Sequence, residues 1–256
     1  MHLPVPAASP PQPPHSALGS TPWPTRRSAS TAPALSATRA RAAEAADEAR
    51  CLAELRTAVQ VAAGSNFQAY ESGPAFEADT GVTAAAFLAL QDKLGHAWTH
   101  PWLLRCALVH VSYKAETTPT GTQPLLAWVG DSVLASVVTD ELVVRYACSG
   151  TRPPTQLTVT RSLVLSRAGC ARHARVLGLD GTGDDKLLVV GSSFSAIGSN
   201  LSVGMLGECF EAVLGSLYID GGRAAARAAF LRLLPFPPAL AEVAELYGAG
   251  APSRGT

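Results

Sequence analysis

Residues 125–146, LLAWVGDSVLASVVTDELVVRY, are the stretch whose reading decides the fold. Apolar residues recur there at helical spacing on more than one face, which predicts a helix buried nearly all round. Pro124 fits the first helical position, where a missing N–H costs nothing, with Thr122 or Gln123 at the cap. Asp131 stands in the first two turns. An ionised carboxylate inside such a helix is costly unless it is paired or binds a metal. Asp131 is therefore expected to have a partner.

Residues 205–220, MLGECFEAVLGSLYID, supply one. They predict a second apolar helix in which Glu208 and Glu211, three residues apart, share a face. Spacing alone also fits two glutamates facing solvent. The surrounding Met205, Leu206, Phe210, Val213, Leu214 and Leu217 argue against easy solvation of both. Three carboxylates from two apolar helices make a donor set for a hard cation, since magnesium takes oxygen ligands and keeps several waters.

Over residues 90–234 the chain resembles the ribonuclease III family. Asp131 lies in VGDSVL, similar to the family's LGDAVL, and Glu208 and Glu211 lie in GECFEAVLGSLYIDGG, similar to its second acidic motif. His110, Ser112 and Tyr113 match an HxSY element. Leu157, Thr158, Arg161, Ser162 and Ser166 match a further one, and LGLDGTGDDKLLVVG stands where the family has an LGLxxxxxxG segment. Five motifs in the right order are a specific signal, although each alone is weak.

That resemblance implies an all-α fold of the ribonuclease III endonuclease-domain type. It also implies a Mg²⁺-dependent (Mn²⁺ would serve) cut of double-stranded RNA by a homodimer. Asp131 and Glu211 would be the catalytic residues and direct metal ligands, and Glu208 a ligand or water-orienter. The family's four acidic positions map onto Ala127, Asp131, Glu208 and Glu211, so one is missing, and Pro124 stands at another position that is often acidic. The shorter mini-ribonuclease III branch has alanine at the place of Ala127. The competing reading is a scaffold: some proteins of the mitochondrial large ribosomal subunit resemble ribonuclease III domains that have lost catalytic acids. Retention of Asp131, Glu208 and Glu211 speaks against it. No double-stranded-RNA-binding domain is expected in residues 223–256.

Working outward, residues 1–43 are rich in Pro, Ser, Thr and Ala and hold four arginines and no acid. Such a segment cannot bury enough surface to fold alone, and an acid-free, Ser- and Arg-bearing start reads as a transit peptide. An organelle is expected, plastid ahead of mitochondrion; a plain disordered tail is the alternative. The whole chain has 20 basic and 20 acidic residues. From residue 44 onward 16 basic residues face 20 acidic ones, which gives no support to a general nucleic-acid-binding surface. A local basic strip of Arg161, Arg167, Arg172, His173 and Arg175 is the exception, an ordinary solvated face being the alternative.

The expected organisation is an extra helix over 42–63 and a linker over 64–81, then a domain over 82–236 and a C-terminal tail over 237–256. Within the domain, helices are expected over 82–94, 102–111, 124–146, 156–177, 205–220 and 223–234, with loops at 117–123 and 181–200, the second with room for short helical pieces. No stretch carries a sustained strand pattern, and no apolar run reaches the length of a membrane span. Five cysteines without a CxxC spacing argue against a disulfide framework or a zinc site and for a reducing compartment. His110 is read as a packed core histidine.

Overall fold

A computed structural model describes residues 32–64, 67–115, 122–147, 154–195, 201–233 and 240–248. The described chain is helical: α1 (Ala32–Ala63), α2 (Phe67–Glu71), α3 (Gly73–Thr80), α4 (Ala84–Leu94), α5 (Pro101–Leu108), α6 (Val111–Ala115) and α7 (Thr122–Leu142). There follow α8 (Pro154–Val164), α9 (Arg167–Leu177), α10 (Ser192–Ser195), α11 (Val203–Leu233) and α12 (Leu240–Gly248). One isolated parallel bridge, Val109 with Val189, joins the end of α5 to the segment before α10. The all-α expectation holds. Residues 1–42 and 43–256 form two separate units. Residues 1–31 of the expected transit segment lie outside the described residues, and residues 32–42 are the first turns of α1. Among the described residues no helix is long and apolar enough to cross a membrane.

α11 is the axis of the larger unit, with α7, α9 and α5 packed on it. Its residues 205–219 are almost all buried, and Leu217 and Ile219 are fully so. The crossing with α7 is glycine on backbone. A β-carbon at Gly130 would strike the Glu211 carbonyl, and one at Gly215 would strike the Leu126 carbonyl. Only glycine lets the two backbones come that close.

α7 begins at Thr122, both Thr122 and Gln123 are buried, and the Gln123 side-chain amide donates to the Ala107 carbonyl at 2.8 Å. The helix is not buried all round. Trp128, Asp131, Ser132 and Asp140 lie on an exposed stripe, because residues three and four apart share a helix face. The opposite face holds the fully buried Leu126, Leu134, Val137 and Val138. At its end Glu141 is buried, accepts from Arg145 Nε at 2.8 Å and pairs with Arg227 of α11, while Arg223 of α11 pairs with Asp140 at 2.6 Å.

Gly222 (φ 75°, ψ −177°) breaks α11 into two arms, where two separate helices were expected. α1 holds both sides of that break. Arg56 donates to the Ile219 carbonyl at 3.0 Å, and Glu48 accepts from the Arg223 N–H at 3.4 Å. Each satisfies a backbone group that the break leaves without a helical partner.

Four expectations are corrected. The span 64–81 is no linker: α2 and α3 bury Tyr70 and Phe76, and Arg105 donates to the Tyr70 and Glu71 carbonyls that end α2. The single helix expected over 156–177 is two, because Ser166 caps α9, its hydroxyl accepting from the Gly169 N–H at 3.0 Å. The helix expected to run through 102–111 ends at Leu108, where the Val109 bridge begins. The C-terminal tail holds α12, whose Val243 and Tyr247 join the core.

Candidate functional site

Asp131 of α7 and Glu208 and Glu211 of α11 line one cleft of about 450 Å³, together with Ala127, Trp128, Arg167 and Gly204. The sequence therefore named three residues that the structure brings to one place. The reason is the Gly130–Gly215 crossing, which sets one helix against the other within a turn of both acidic motifs. Contrary to the sequence expectation, Asp131 is exposed to the cleft, so it needs no partner to offset burial.

Glu211 has a perturbed carboxyl. Burial pushes its carboxyl up from the ordinary 4.5, the charges of Asp131 and Glu208 push the same way, and Cys170 and Arg167 oppose them. The Cys170 thiol donates to Glu211 Oε1 at 3.4 Å. Cys170 is itself fully buried, and burial followed by the charges of Glu211 and Asp131 pushes its thiol up. Glu208 is half-buried, with its Oε2 4.0 Å from His110 Nε2.

His110 is a buried core histidine, as the sequence indicated, yet it also borders the acids. Its Nδ1 accepts from the Ser112 N–H at 3.1 Å and lies 2.8 Å from Ser112 Oγ. Nδ1 is thus an acceptor, which leaves the proton on Nε2, facing Glu208. Burial lowers the imidazole pKa below its ordinary value, with Glu208 opposing. Ser112 Oγ in turn accepts from the Gly191 N–H at 3.1 Å, so the HxSY element ties the α5–α6 corner to the segment before α10.

The basic strip divides. Arg167 enters the acidic cleft, whereas Arg172 and Arg175 line a neighbouring one with Ala168, Val176, Val203 and Tyr247. Arg161 reaches Thr139 Oγ1 at 3.4 Å. His173 does not belong to the strip: it is fully buried, stacked on Phe210 at 4.9 Å and 3.1 Å from the Tyr247 hydroxyl. Burial, then Arg172, drives its pKa down to about 3, so it carries no positive charge near neutrality.

Asp220, the acid that opens the Asp220–Gly221–Gly222 run at the end of the second acidic motif, is a structural acid that sequence reasoning passed over. Its fully buried carboxylate accepts from the Thr99 and His100 N–H groups at 2.9 and 2.8 Å and meets His96 Nε2 and His100 Nδ1 at 2.9 Å each. It anchors the start of α5.

Acceptor-only carboxylates that share a cleft fit a divalent cation, which would relieve their mutual repulsion and prefers oxygen donors. Asp131, Glu208 and Glu211 are the residues that would hold it. Among the described residues no group of three or more His, Cys, Asp or Glu side chains forms a finished metal site.

Known proteins identify the family of the chain. Over 149 residues the chain is 32% identical to ribonuclease 3 of Chlamydia felis, covering 57% of this chain and 59% of that one. Over 143 residues it is 35% identical to ribonuclease 3 of Oleidesulfovibrio alaskensis, covering 55% and 58%. The chain thus spans somewhat under two thirds of the length of these curated relatives. The nuclease domain of ribonuclease III from Campylobacter jejuni shares the fold, with a TM-score of 0.50 and 23% identity over 59% of this chain and 97% of that one. Residues 100–235 match the model of the family described as Ribonuclease-III-like, and on that span, more than half of the sequence, the chain belongs to the ribonuclease III-like family.

Proposed function

We propose that the chain is an endoribonuclease that cuts double-stranded RNA with the help of Mg²⁺, for which Mn²⁺ would substitute, and that it works as a homodimer. The observation that carries this reading is the convergence of Asp131, Glu208 and Glu211 on one cleft beside Arg167. A divalent cation bound there supplies Lewis-acid stabilisation of the scissile phosphate and a water of lowered pKa. Asp131 and Glu211 would hold it as carboxylates, Glu208 would hold it or orient the water, and Arg167 would offer the phosphate a fixed positive charge. The A-form duplex is recognised by its shape and 2′-hydroxyls. Trp128, 73% exposed, lines the same cleft, and the second copy of the proposed homodimer would cover it.

The acid-free residues 1–43 support an organellar setting, plastid ahead of mitochondrion, and a role in organellar rRNA processing. A reporter fused to residues 1–60 should enter an organelle and be shortened there; a cytosolic, full-length reporter removes that part of the reading.

The scaffold reading, a part of the mitochondrial large ribosomal subunit or its assembly, is favoured by one observation: Ala127 lines the cleft where the family pattern has an acid. Cleavage of duplex RNA at low ionic strength separates the two. The enzyme cuts with Mg²⁺ and not with EDTA, and Glu211→Gln, which keeps volume and removes charge, abolishes cutting without unfolding the protein. A folded dimer that leaves duplex RNA intact while co-sedimenting with organellar large subunits establishes the scaffold.

A further inference from the structure

Glu211 does not meet the cleft as a free side chain. One of its oxygens, Oε1, accepts from the Cys170 thiol at 3.4 Å, and among the described residues no hydrogen bond falls on Oε2. Cys170 sits in the first turn of α9, three residues after Arg167, with no exposed surface. Two glycines put it there. Gly169 lies against the Val164 and Leu163 carbonyls, so the chain can turn sharply from α8 into α9. Gly207 lies one turn before Glu211 on α11, and a β-carbon there would sit 3.2 Å from the Arg167 carbonyl and 3.5 Å from Cys170 Cβ. The start of α9 is thereby pressed onto the turn of α11 that carries both glutamates. The S–H is a weak donor, with the Leu165 carbonyl at 3.9 Å as its only other acceptor among the described residues. A carboxylate is the stronger of the two acceptors, because it is charged.

We propose that Cys170 is a positioning residue for Glu211: its thiol holds Oε1 against α9, so that Oε2 is the oxygen offered to a divalent cation shared with Asp131. The proposal rests on the cation-site reading above. A long glutamate otherwise has three rotatable bonds to order when it binds, and a partner that fixes one oxygen beforehand removes part of that cost. Cys170 touches neither cation nor RNA; it acts through Glu211.

The test is Mn²⁺ titration of the folded, full-length protein by calorimetry without RNA, backed by melting temperature and by the Mn²⁺ dependence of cleavage. Cys170→Ala and Cys170→Val remove the donor, the second with less lost volume, while Cys170→Ser keeps a hydroxyl donor in the same place. Loss of a partner that orients a metal ligand weakens metal binding about tenfold or more. Both donor-less variants should show that loss, with a raised Mn²⁺ midpoint for cleavage and little change in the rate at saturating Mn²⁺, and Cys170→Ser should restore wild-type binding. Wild-type affinity in Cys170→Ala or Cys170→Val overturns the proposal, as does equal impairment in Cys170→Ser, which would mean that packing alone matters. If Glu211→Gln binds Mn²⁺ as wild type does, the cation-site reading itself fails and takes this proposal with it. If Glu211→Gln loses binding while the donor-less variants keep it, only the role of Cys170 is overturned.

Discussion

The α-carbon of Gly130 lies so close to the backbone carbonyl of Glu211 that no β-carbon fits between them, and the same crossing repeats between Gly215 and Leu126. Asp131 follows Gly130 directly, so this contact also sets the spacing of two of the three acids. Gly130→Ala or Gly215→Ala forces α7 and α11 apart. Each should cost about 1–3 kcal/mol or more, the range for overpacking a tight interior, and should lower the melting temperature by several degrees. Gly204→Ala is the control, since a β-carbon there meets only Ser202 Oγ at 3.7 Å and should leave stability unchanged. Equal melting temperatures for all three variants would show that the crossing is not tight.

The fold class was legible in long apolar runs of helical period, and the three acids in motifs that resemble the ribonuclease III pattern, since the spacing of Glu208 and Glu211 alone also fits two glutamates facing solvent. What escaped had weaker marks. α2 and α3 are too short for a periodic pattern, although Ser72 before Gly73 and Pro74 is a helix-start signal that was there to be read. The break between α8 and α9 was likewise written in Ser166 and Gly169. The exposed stripe of α7 was masked by Trp128, an apolar residue that faces outward beside Asp131. Nothing local could reveal the Cys170–Glu211 bond or the grip of Asp220 on Thr99 and His100, since each joins residues 41 or more positions apart.

Asp220 gives a prediction with a pH signature. Burial pushes its carboxyl up, but bonds from His96, Thr99 and His100 outweigh that and hold it below the ordinary 3.8. A carboxyl lowered in the folded state adds stability above its unfolded pKa and loses it as pH falls through the folded one. Asp220→Asn should therefore cost about 3 kcal/mol near neutrality, since bonds to a charged acceptor are worth about 1.5–3 kcal/mol each and only some survive. The gap between the two proteins should close as pH falls below 3.8. Denaturant melts at several pH values decide it; a constant gap would remove the charge from the explanation.

His173 has a different window. Its pKa is lowered from 6.5 to about 3 by burial and by Arg172, so the fold requires the neutral ring. The stability this contributes is complete above 6.5 and is lost as pH falls from there toward 3. Over that span the loss approaches about 1.4 kcal/mol per pH unit. His173→Phe keeps a ring against Phe210 but strands the Tyr247 hydroxyl, which costs about 1–3 kcal/mol. The variant should thus be less stable than wild type at pH 8 and more stable near pH 4. Parallel stability curves that never cross would contradict a neutral, buried His173.

Ala127→Glu tests what the missing acid means. Ala127 lies one helical turn before Asp131, is 5% exposed and lines the same cleft. A glutamate there places a fourth carboxylate beside three others, and a like-charge pair at i, i+4 costs about 0.2–0.5 kcal/mol before any burial penalty is added. In EDTA the variant should therefore melt below wild type. A divalent cation held by Asp131 and Glu211 reverses the balance, because the added charge now faces a cation. With saturating Mg²⁺ the variant should gain more melting temperature than wild type does, and cleavage of duplex RNA should be preserved or raised. Stabilisation by a ligand grows with its concentration over its dissociation constant, so the Mg²⁺ dependence of melting reports the affinity without reference to activity. A variant that Mg²⁺ stabilises no more than it stabilises wild type would mean that position 127 points away from the cation, and Asp131, Glu208 and Glu211 would then be the whole of its protein ligands.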